Sequence, residues 1–345
     1  MNKEYTIGNL GEVKIIKIIE ELIFEKTGKR LIRDDSFFFP LNINALGLDF
    51  NKSVIVFNTD MLVSSTDVPD QMSYYNVGRK AILMNISDLI VKAVKPKGIF
   101  VSLGLFKNLK VGDFKELMNG IIDYCVKWNI DYIGGDTNET KELIINPGVF
   151  GIQEKSKIIY RNGTKPGDLL VINKKFGLTG VGFDILLNKK SDVKNYPKFK
   201  RSIASVLEPF DLGNEAFYLS EKNLATASID SSDGLAKSLY DLIESNQDLK
   251  IGFEIDFNDD LIDEEAKKYS QEFNISLEKL VFNGGEEFVH LFTINPKNYE
   301  QVTTDVQKNG GNLFKVGKVI SEKKVYFIKE NKKNKLDFYG FEHFK

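Results

Sequence analysis

Cysteine and histidine are nearly missing from this chain of 345 residues, and the chemistry they carry is missing with them. The single Cys125 excludes an internal disulfide and any multi-cysteine metal site. Two histidines, His290 and His343, are too few for a histidine-rich metal centre and argue against a Ser-His-Asp arrangement. An excess of one charge is absent too. The 47 basic and 49 acidic residues leave a formal net charge of −2, so no global field favours nucleic acid or an anionic membrane. No apolar run approaches the roughly 20 residues of a membrane helix. The N-terminus alternates lysine, glutamate and isoleucine where a signal peptide has an apolar core, so a soluble, cytoplasmic protein is expected. Core-forming residues are plentiful: 42% are hydrophobic, which at this length supports two domains of roughly 100–200 residues each.

Against this background stands an ordered series of acidic motifs. They are Arg33-Asp34-Asp35, Asn58-Thr59-Asp60, Asn85-Ile86-Ser87-Asp88, Gly134-Gly135-Asp136-Thr137, Ser228-Ile229-Asp230-Ser231-Ser232-Asp233-Gly234 and Asn283-Gly284-Gly285-Glu286-Glu287. Most end an apolar, strand-like run or sit beside the apolar face of a helix. Two carboxylates about 4 Å apart repel by roughly 1 kcal/mol in water and about 4 kcal/mol at an effective dielectric of 20. A cluster of them needs cations, and hard cations with oxygen ligands, Mg²⁺ above all, in turn bind phosphates. The pattern points to a metal–nucleotide site.

The spacing of apolar residues predicts helices over 11–27, 73–93 and 111–128, and strands over 36–41, 53–58, 98–105 and 130–133, with a strand pair within 142–153. The 73–93 helix has the stripe Ile82, Ile86, Leu89 and Ala93, with Asn85 and Asp88 on the neighbouring strip. The short 130–133 strand would deliver Gly134-Gly135-Asp136. The turn-rich segment 161–168 is read as a linker before a strand at 169–172. Helices then follow Gly177 and span about 213–220, 235–245 and 262–273, with strands at 225–229, 251–256 and 288–294. Domains are expected at 1–155 and at 156–345.

Each motif also has a plainer reading. Asp35 and Asp60 suit structural turns. Asp88 is costly near a buried stripe unless paired, and Lys92 four residues on offers a surface partner. Gly134-Gly135-Asp136 suits a phosphate or metal contact, or a tight turn. Ser232 or Asp233 could simply cap the following helix, which is compatible with phosphate at the same helix end. Gly177-Leu178-Thr179-Gly180-Val181-Gly182 lacks the Lys-Ser/Thr ending of a Walker A loop and reads as a turn into a closely packed helix. Cys125, beside Ile121 and Ile122, reads as a core residue.

Taken in order, the motifs resemble the thiamine-monophosphate kinase family, within the superfamily of aminoimidazole-ribotide synthetase-like ATP enzymes. The resemblance rests on Asn-x-Ser-Asp at 85–88, Gly-Gly-Asp-Thr at 134–137, Arg-x-Gly-x-Lys-Pro-Gly-Asp at 161–168, Asp-x-Ser-Asp-Gly-Leu at 230–235 and Gly-Gly-Glu-Glu at 284–287. It runs from Asp34-Asp35 to the terminal Gly340-Phe341-Glu342-His343-Phe344. Residues 60–69 are most like the archaeal branch. There Asp67 stands where bacterial members carry a substrate-contacting histidine, and Arg33 stands where many members have glycine.

The resemblance implies a two-domain α+β, aminoimidazole-ribotide synthetase-like fold whose N-terminal domains pair through a shared β-barrel in a homodimer. It implies that Asp35, Asp60, Asp88, Asp136 and Asp230 hold several Mg²⁺ ions, with Asn58 and Thr59 completing the shell and Asp233 on a further metal. Gly135, Asp136, Arg161 and Ser232 would contact ATP. Asp67, Glu286 and Phe341 would contact thiamine monophosphate. The implied reaction is direct in-line transfer from ATP to thiamine monophosphate with no protein nucleophile, which suits a chain rich in placed carboxylates. The alternatives are another ATP-using member of the superfamily, such as an aminoimidazole-ribotide synthetase, a selenophosphate synthetase or a hydrogenase-maturation protein, and an inactive nucleotide-binding regulator.

Overall fold

The computed structural model describes residues 5–31, 47–189 and 192–337. The expected strand at 36–41, with Asp34 and Asp35, and the terminal segment with Phe341 lie outside the described residues. The chain divides into two compact units, one built from residues up to Leu89 together with Val94–Ser156, the other from Ile90–Ala93 together with residues from Lys157 onward.

The first unit contains α1 (Glu12–Thr27), β1 (Ser53–Thr59), β2 (Leu62–Val63), α2 (Ser64–Asp67), α3 (Tyr74–Ile90), β3 (Pro96–Leu105), α4 (Val111–Lys127), β4 (Asp131–Glu139) and β5 (Ile144–Glu154). Among the described residues they form a five-stranded sheet in the order β1-β5-β3-β4, with β2 also on β5. All pairs are antiparallel except β3 and β4. Helical periodicity does what the sequence pattern implies: Ile82, Ile86 and Leu89 of α3 are buried, as are Phe114, Leu117, Ile121, Ile122 and Cys125 of α4. Each such aliphatic side chain stabilises the fold by roughly 1.5–3 kcal/mol.

Three expectations are corrected here. The strand expected to stop before Gly134 continues through Gly134, Gly135 and Asp136 to Glu139, because its parallel pairing with β3 carries on opposite Phe100, Val101 and Ser102. The helix expected to reach Ala93 ends at Ile90. Ala93 turns left-handed at φ 61°, and the Val94 N–H donates to Leu89 O at 2.9 Å, a terminating bond that helix continuation would forbid. The expected strand pair at 142–153 is one long strand, β5.

The second unit contains β6 (Leu169–Ile172), α5 (Leu178–Phe183), α6 (Lys200–Leu207), α7 (Glu215–Glu221), β7 (Ala225–Ser231), α8 (Leu235–Glu244), β8 (Gly252–Asp256), α9 (Glu264–Phe273), α10 (Leu277–Asn283), β9 (Val289–Ile294), α11 (Tyr299–Lys308), β10 (Phe314–Ile320), β11 (Val325–Lys329) and β12 (Lys332–Leu336). Its seven-stranded sheet runs β12-β11-β8-β10-β6-β9-β7, antiparallel except for β8 with β11. Strand alternation divides the core. Leu170, Ile172, Val289 and Leu291 join one cluster, whereas Val171, Phe292 and Ile294 join another with Val302 and Val306 of α11. The architecture is α+β in both units. The segment 161–168 belongs to the second unit, tied down by the buried Asn246, whose amide accepts from Gly163 N–H at 2.8 Å and donates to Arg161 O at 3.0 Å.

Candidate functional site

In the first unit, β1 delivers Asn58 and Thr59 on opposite faces of the sheet, as successive strand residues must be. Asn58 turns toward α3. Its Nδ2 donates to Asp60 Oδ2 at 2.8 Å and to Asp88 Oδ2 at 2.9 Å, so one neutral amide bridges two carboxylates. The fully buried Asn85, one helical turn before Asp88, fixes the backbone of Asp60. Its Oδ1 accepts the Asp60 N–H at 2.8 Å, while its Nδ2 donates to Asp60 O and Ala81 O, each at 2.9 Å. Thr59 points the other way, its hydroxyl donating to Pro147 O at 2.8 Å.

Asp136 is exposed on β4, opposite Ser102 of β3. Gly135 beside it sits at φ 156°, and a Cβ there would come within 1.9 Å of Val101 O, so only glycine lets the two strands pair this closely. Asp67, at the end of α2, uses its carboxylate to accept the Val63 N–H at 2.7 Å, and its carbonyl accepts from the buried Lys80 ammonium at 2.6 Å. Cys125 is buried in the α4 core, where burial pushes its thiol up to about 12.

The second unit places Asp230 near the end of β7, buried and directly opposite His290 of β9. Neither Ser232 nor Asp233 caps α8. The N-cap position is Gly234 at φ 104° with no side-chain cap, and Asp233 forms an ion pair with Lys237 at 2.9 Å. Ser232 is exposed, and its carbonyl accepts the Glu286 N–H. Arg161 is exposed as well. His290 is fully buried, neither ring nitrogen has a hydrogen-bond partner among the described residues, and burial, with Lys174 and Lys92 nearby, pulls it down to about 3.

Glu286 and Phe288 adopt left-handed backbone at φ 58° and 47°, either side of Glu287. The Glu287 carboxylate accepts the N–H groups of Gly177 at 2.7 Å and Thr179 at 3.3 Å at the start of α5. Burial raises its carboxyl to about 7 against the pull of those two donors. The glycines of α5 serve packing: a Cβ on Gly180 or Gly182 would strike Leu280 O at 2.4 Å or Ser202 O at 2.2 Å. Glu286, Glu287 and Phe288 line a cavity of about 400 Å³ with Lys174, Arg201 and Phe210.

The structure thus brings together Asn58, Asp60 and Asp88. Among the described residues, no three His, Cys, Asp or Glu side chains gather around one point. Asn85, Asn246 and Glu287 carry positions that sequence patterns did not assign. Asn85 belongs to the Asn-x-Ser-Asp motif, and its spacing three before Asp88 is the signal the sequence carries.

Residues 44–153 match the family model described as AIR synthase related protein, N-terminal domain. Over 340 residues the chain is 32% identical to the thiamine-monophosphate kinase of Nitrosopumilus maritimus (strain SCM1), covering 98% of this chain and 100% of that one. A solved structure described as AaThiL complexed with AMPPCP and TMP superposes with a TM-score of 0.73, covering 97% of each chain at 23% identity. Escherichia coli HypE, a hydrogenase maturation protein, superposes with a TM-score of 0.75 over 95% of this chain and 98% of its own, at 17% identity. The two superpositions establish the fold. The sequence match over the full length separates this chain from the second of them.

Proposed function

The chain belongs to the thiamine-monophosphate kinase family, and from that premise we propose that it transfers the γ-phosphoryl group of ATP to thiamine monophosphate, giving thiamine diphosphate and ADP. The observation that carries the reading is the Asn58 amide between Asp60 and Asp88, with Asn85 clamping the Asp60 backbone. Two carboxylates held side by side on rigid elements form a prepared cation site.

Their oxygen donors suit a hard cation, so the residues fit Mg²⁺. In this reading Asp35, Asn58, Asp60, Asp88 and Asp136 hold metal in the first unit, with Thr59 contributing through its backbone because its hydroxyl is held by Pro147. Asp230 and Asp233 hold metal in the second. Mg²⁺, when bound, neutralises the charge of the transferring phosphates. The chain's own part is to position. Gly135, whose missing Cβ makes room for β3, would meet ATP through its backbone, Arg161 and Ser232 lie exposed for ATP contact, and Asp136 would share that role. Asp67, Glu286 and Phe341 serve the thiamine side. Glu286 lines a cavity that mixes carboxylates and aromatic rings with the basic Lys174, Lys175 and Arg201, so both a cationic heterocycle and a phosphate would find partners there. A buried thiol held near 12 offers no nucleophile, which favours direct transfer.

The reading extends to a cytoplasmic homodimer with the first unit, about residues 1–155, as the pairing domain. Ile55, Phe57 and Phe100 stand 49%, 68% and 43% exposed on one face of its sheet, an apolar surface of the kind that pairing covers. Phe57→Asp should shift the sedimentation equilibrium toward monomer.

The deciding experiment for the reaction is chromatography of products formed from thiamine monophosphate and ATP with and without Mg²⁺. Thiamine diphosphate should form only with the metal. Its absence from protein that still binds an ATP analogue would sink the assignment in favour of another member of the superfamily.

A further inference from the structure

Asp233 already has a cation. The Lys237 ammonium lies 2.9 Å from Asp233 Oδ2 and 3.3 Å from Asp241 Oδ2, so one lysine of α8 sits between two carboxylates four residues to either side, Asp233 just before the helix and Asp241 within it. No side chain caps the start of this helix, which leaves the Asp233 carboxylate outside the helix's own hydrogen bonding. Lys237 keeps 28% of its side chain accessible, so its flexible stem has room to move.

We propose that Lys237 is a positioning residue that holds Asp233 before a divalent cation arrives and passes to Asp241 when the cation takes Asp233. The inference rests on the reading of Asp233 as a metal ligand given above. An ammonium and a divalent cation cannot share one carboxylate without strong mutual repulsion. Asp241, one helical turn beyond, supplies a second seat that side-chain torsions alone can reach. The pair therefore sets the Mg²⁺ concentration at which the site fills. It also keeps Asp233 neutralised beforehand, when an unpaired carboxylate would repel the nucleotide phosphates.

The test is a double-mutant cycle read by binding, without turnover. Melting temperatures of the full chain are followed over a Mg²⁺ titration at a fixed concentration of a non-hydrolysable ATP analogue. Lys237→Met should lower the Mg²⁺ midpoint threefold or more, because the competitor is gone. Asp241→Asn should raise it threefold or more, because the displaced ammonium has lost its seat. In the Lys237→Met background, Asp241→Asn should move the midpoint by less than 1.5-fold.

Independent, multiplicative effects in the cycle would mean that both residues act only through the general field, and the exchange would be wrong. An unmoved midpoint in Lys237→Met would overturn it as well. If the unsubstituted protein gains no stability from Mg²⁺ at all, the metal reading fails and the proposal with it. Metal-dependent stabilisation without thiamine diphosphate formation would instead overturn the reaction and leave the exchange standing.

Discussion

Asn85 grips Asp60 by its main chain at both ends, accepting from its N–H at 2.8 Å and donating to its carbonyl at 2.9 Å. A helix side chain thereby does for the end of β1 what a neighbouring strand would do. The grip sets where the Asp60 carboxylate starts from, while the Asn58 amide sets where it ends, against Asp88. Three side chains from two elements so define one pair of oxygens.

Removing the grip should cost both stability and turnover. Asn85→Ala leaves the half-buried Asp60 N–H and carbonyl without this partner and empties a fully buried site, a loss of about 1–3 kcal/mol. Turnover should fall more than tenfold in the folded variant. Asn85→Asp should fare worse than alanine, because its carboxylate would face the Asp60 carbonyl. Chemical denaturation paired with steady-state kinetics checks the order. A folded alanine variant with undiminished kcat would show that the grip serves folding alone.

Asp88→Asn keeps the shape and removes one of the two charges that share Asn58. Relief of repulsion worth about 1–4 kcal/mol, before the offset from the Asn58 donor, should leave the metal-free protein at least as stable. Mg²⁺-dependent transfer should fall by about 100-fold or more if the lost metal contact contributes about 3 kcal/mol in the transition state. Melting curves with and without Mg²⁺, set beside turnover, separate the two effects. A destabilised variant of near-normal activity would mark Asp88 as a structural residue.

Cys125→Ala should leave the chemistry intact and cost about 1 kcal/mol or somewhat more for a small cavity in the α4 core. The thiol, buried and pushed up to about 12, should also resist alkylation in the native protein. Rapid labelling under native conditions, or turnover reduced by orders of magnitude in the folded variant, would restore a thiol mechanism to consideration.

Glu287 carries a pH signature. Burial raises its carboxyl to about 7, above the ordinary value of 4.5, so the fold prefers the protonated form. The stability this contributes is fully present below 4.5 and is lost as pH rises toward 7. Glu287→Gln stays neutral throughout and retains an oxygen for the Gly177 and Thr179 N–H groups. Denaturant midpoints across pH 4 to 9 should therefore shift in favour of the variant as pH rises through that window, and level off above it. A difference independent of pH would mean that Glu287 is neutralised some other way.

Periodicity made much of the scaffold legible. The stripe of α3, the core face of α4 and the limits of β6 all follow from side-chain spacing, because burial repeats with the backbone's own period. The ordered motifs identified the family for the same local reason: each is a short run with distinctive turn or ligand chemistry. What could not be read was decided by distant partners. The Gly-Gly-Asp segment looks like a turn until β3 pairs along it. Asp233 looks like a helix cap until Lys237 takes its carboxylate. Asn246 lies just past the end of α8 with nothing in its neighbours to announce that it holds the turn at Arg161 and Gly163. In each case one side chain meets main chain or charge that the local pattern does not specify.

The left-handed pair around Glu287 has a consequence for how this protein can change. Holding Glu286 at positive φ costs of order 1 kcal/mol, an outlay that glycine would largely remove. Phe288 is buried, so truncating it would cost about 3–5 kcal/mol, well beyond its own backbone strain. Selection for heat resistance alone would therefore admit glycine at position 286 and keep Phe288, and it would erase one carboxylate of the cavity wall. A heat-selected library should accumulate glycine at 286 and not at 288, while the carboxylate pair in the first unit stays untouched. Heat resistance and whatever that carboxylate holds are thus set against each other at a single position of one turn.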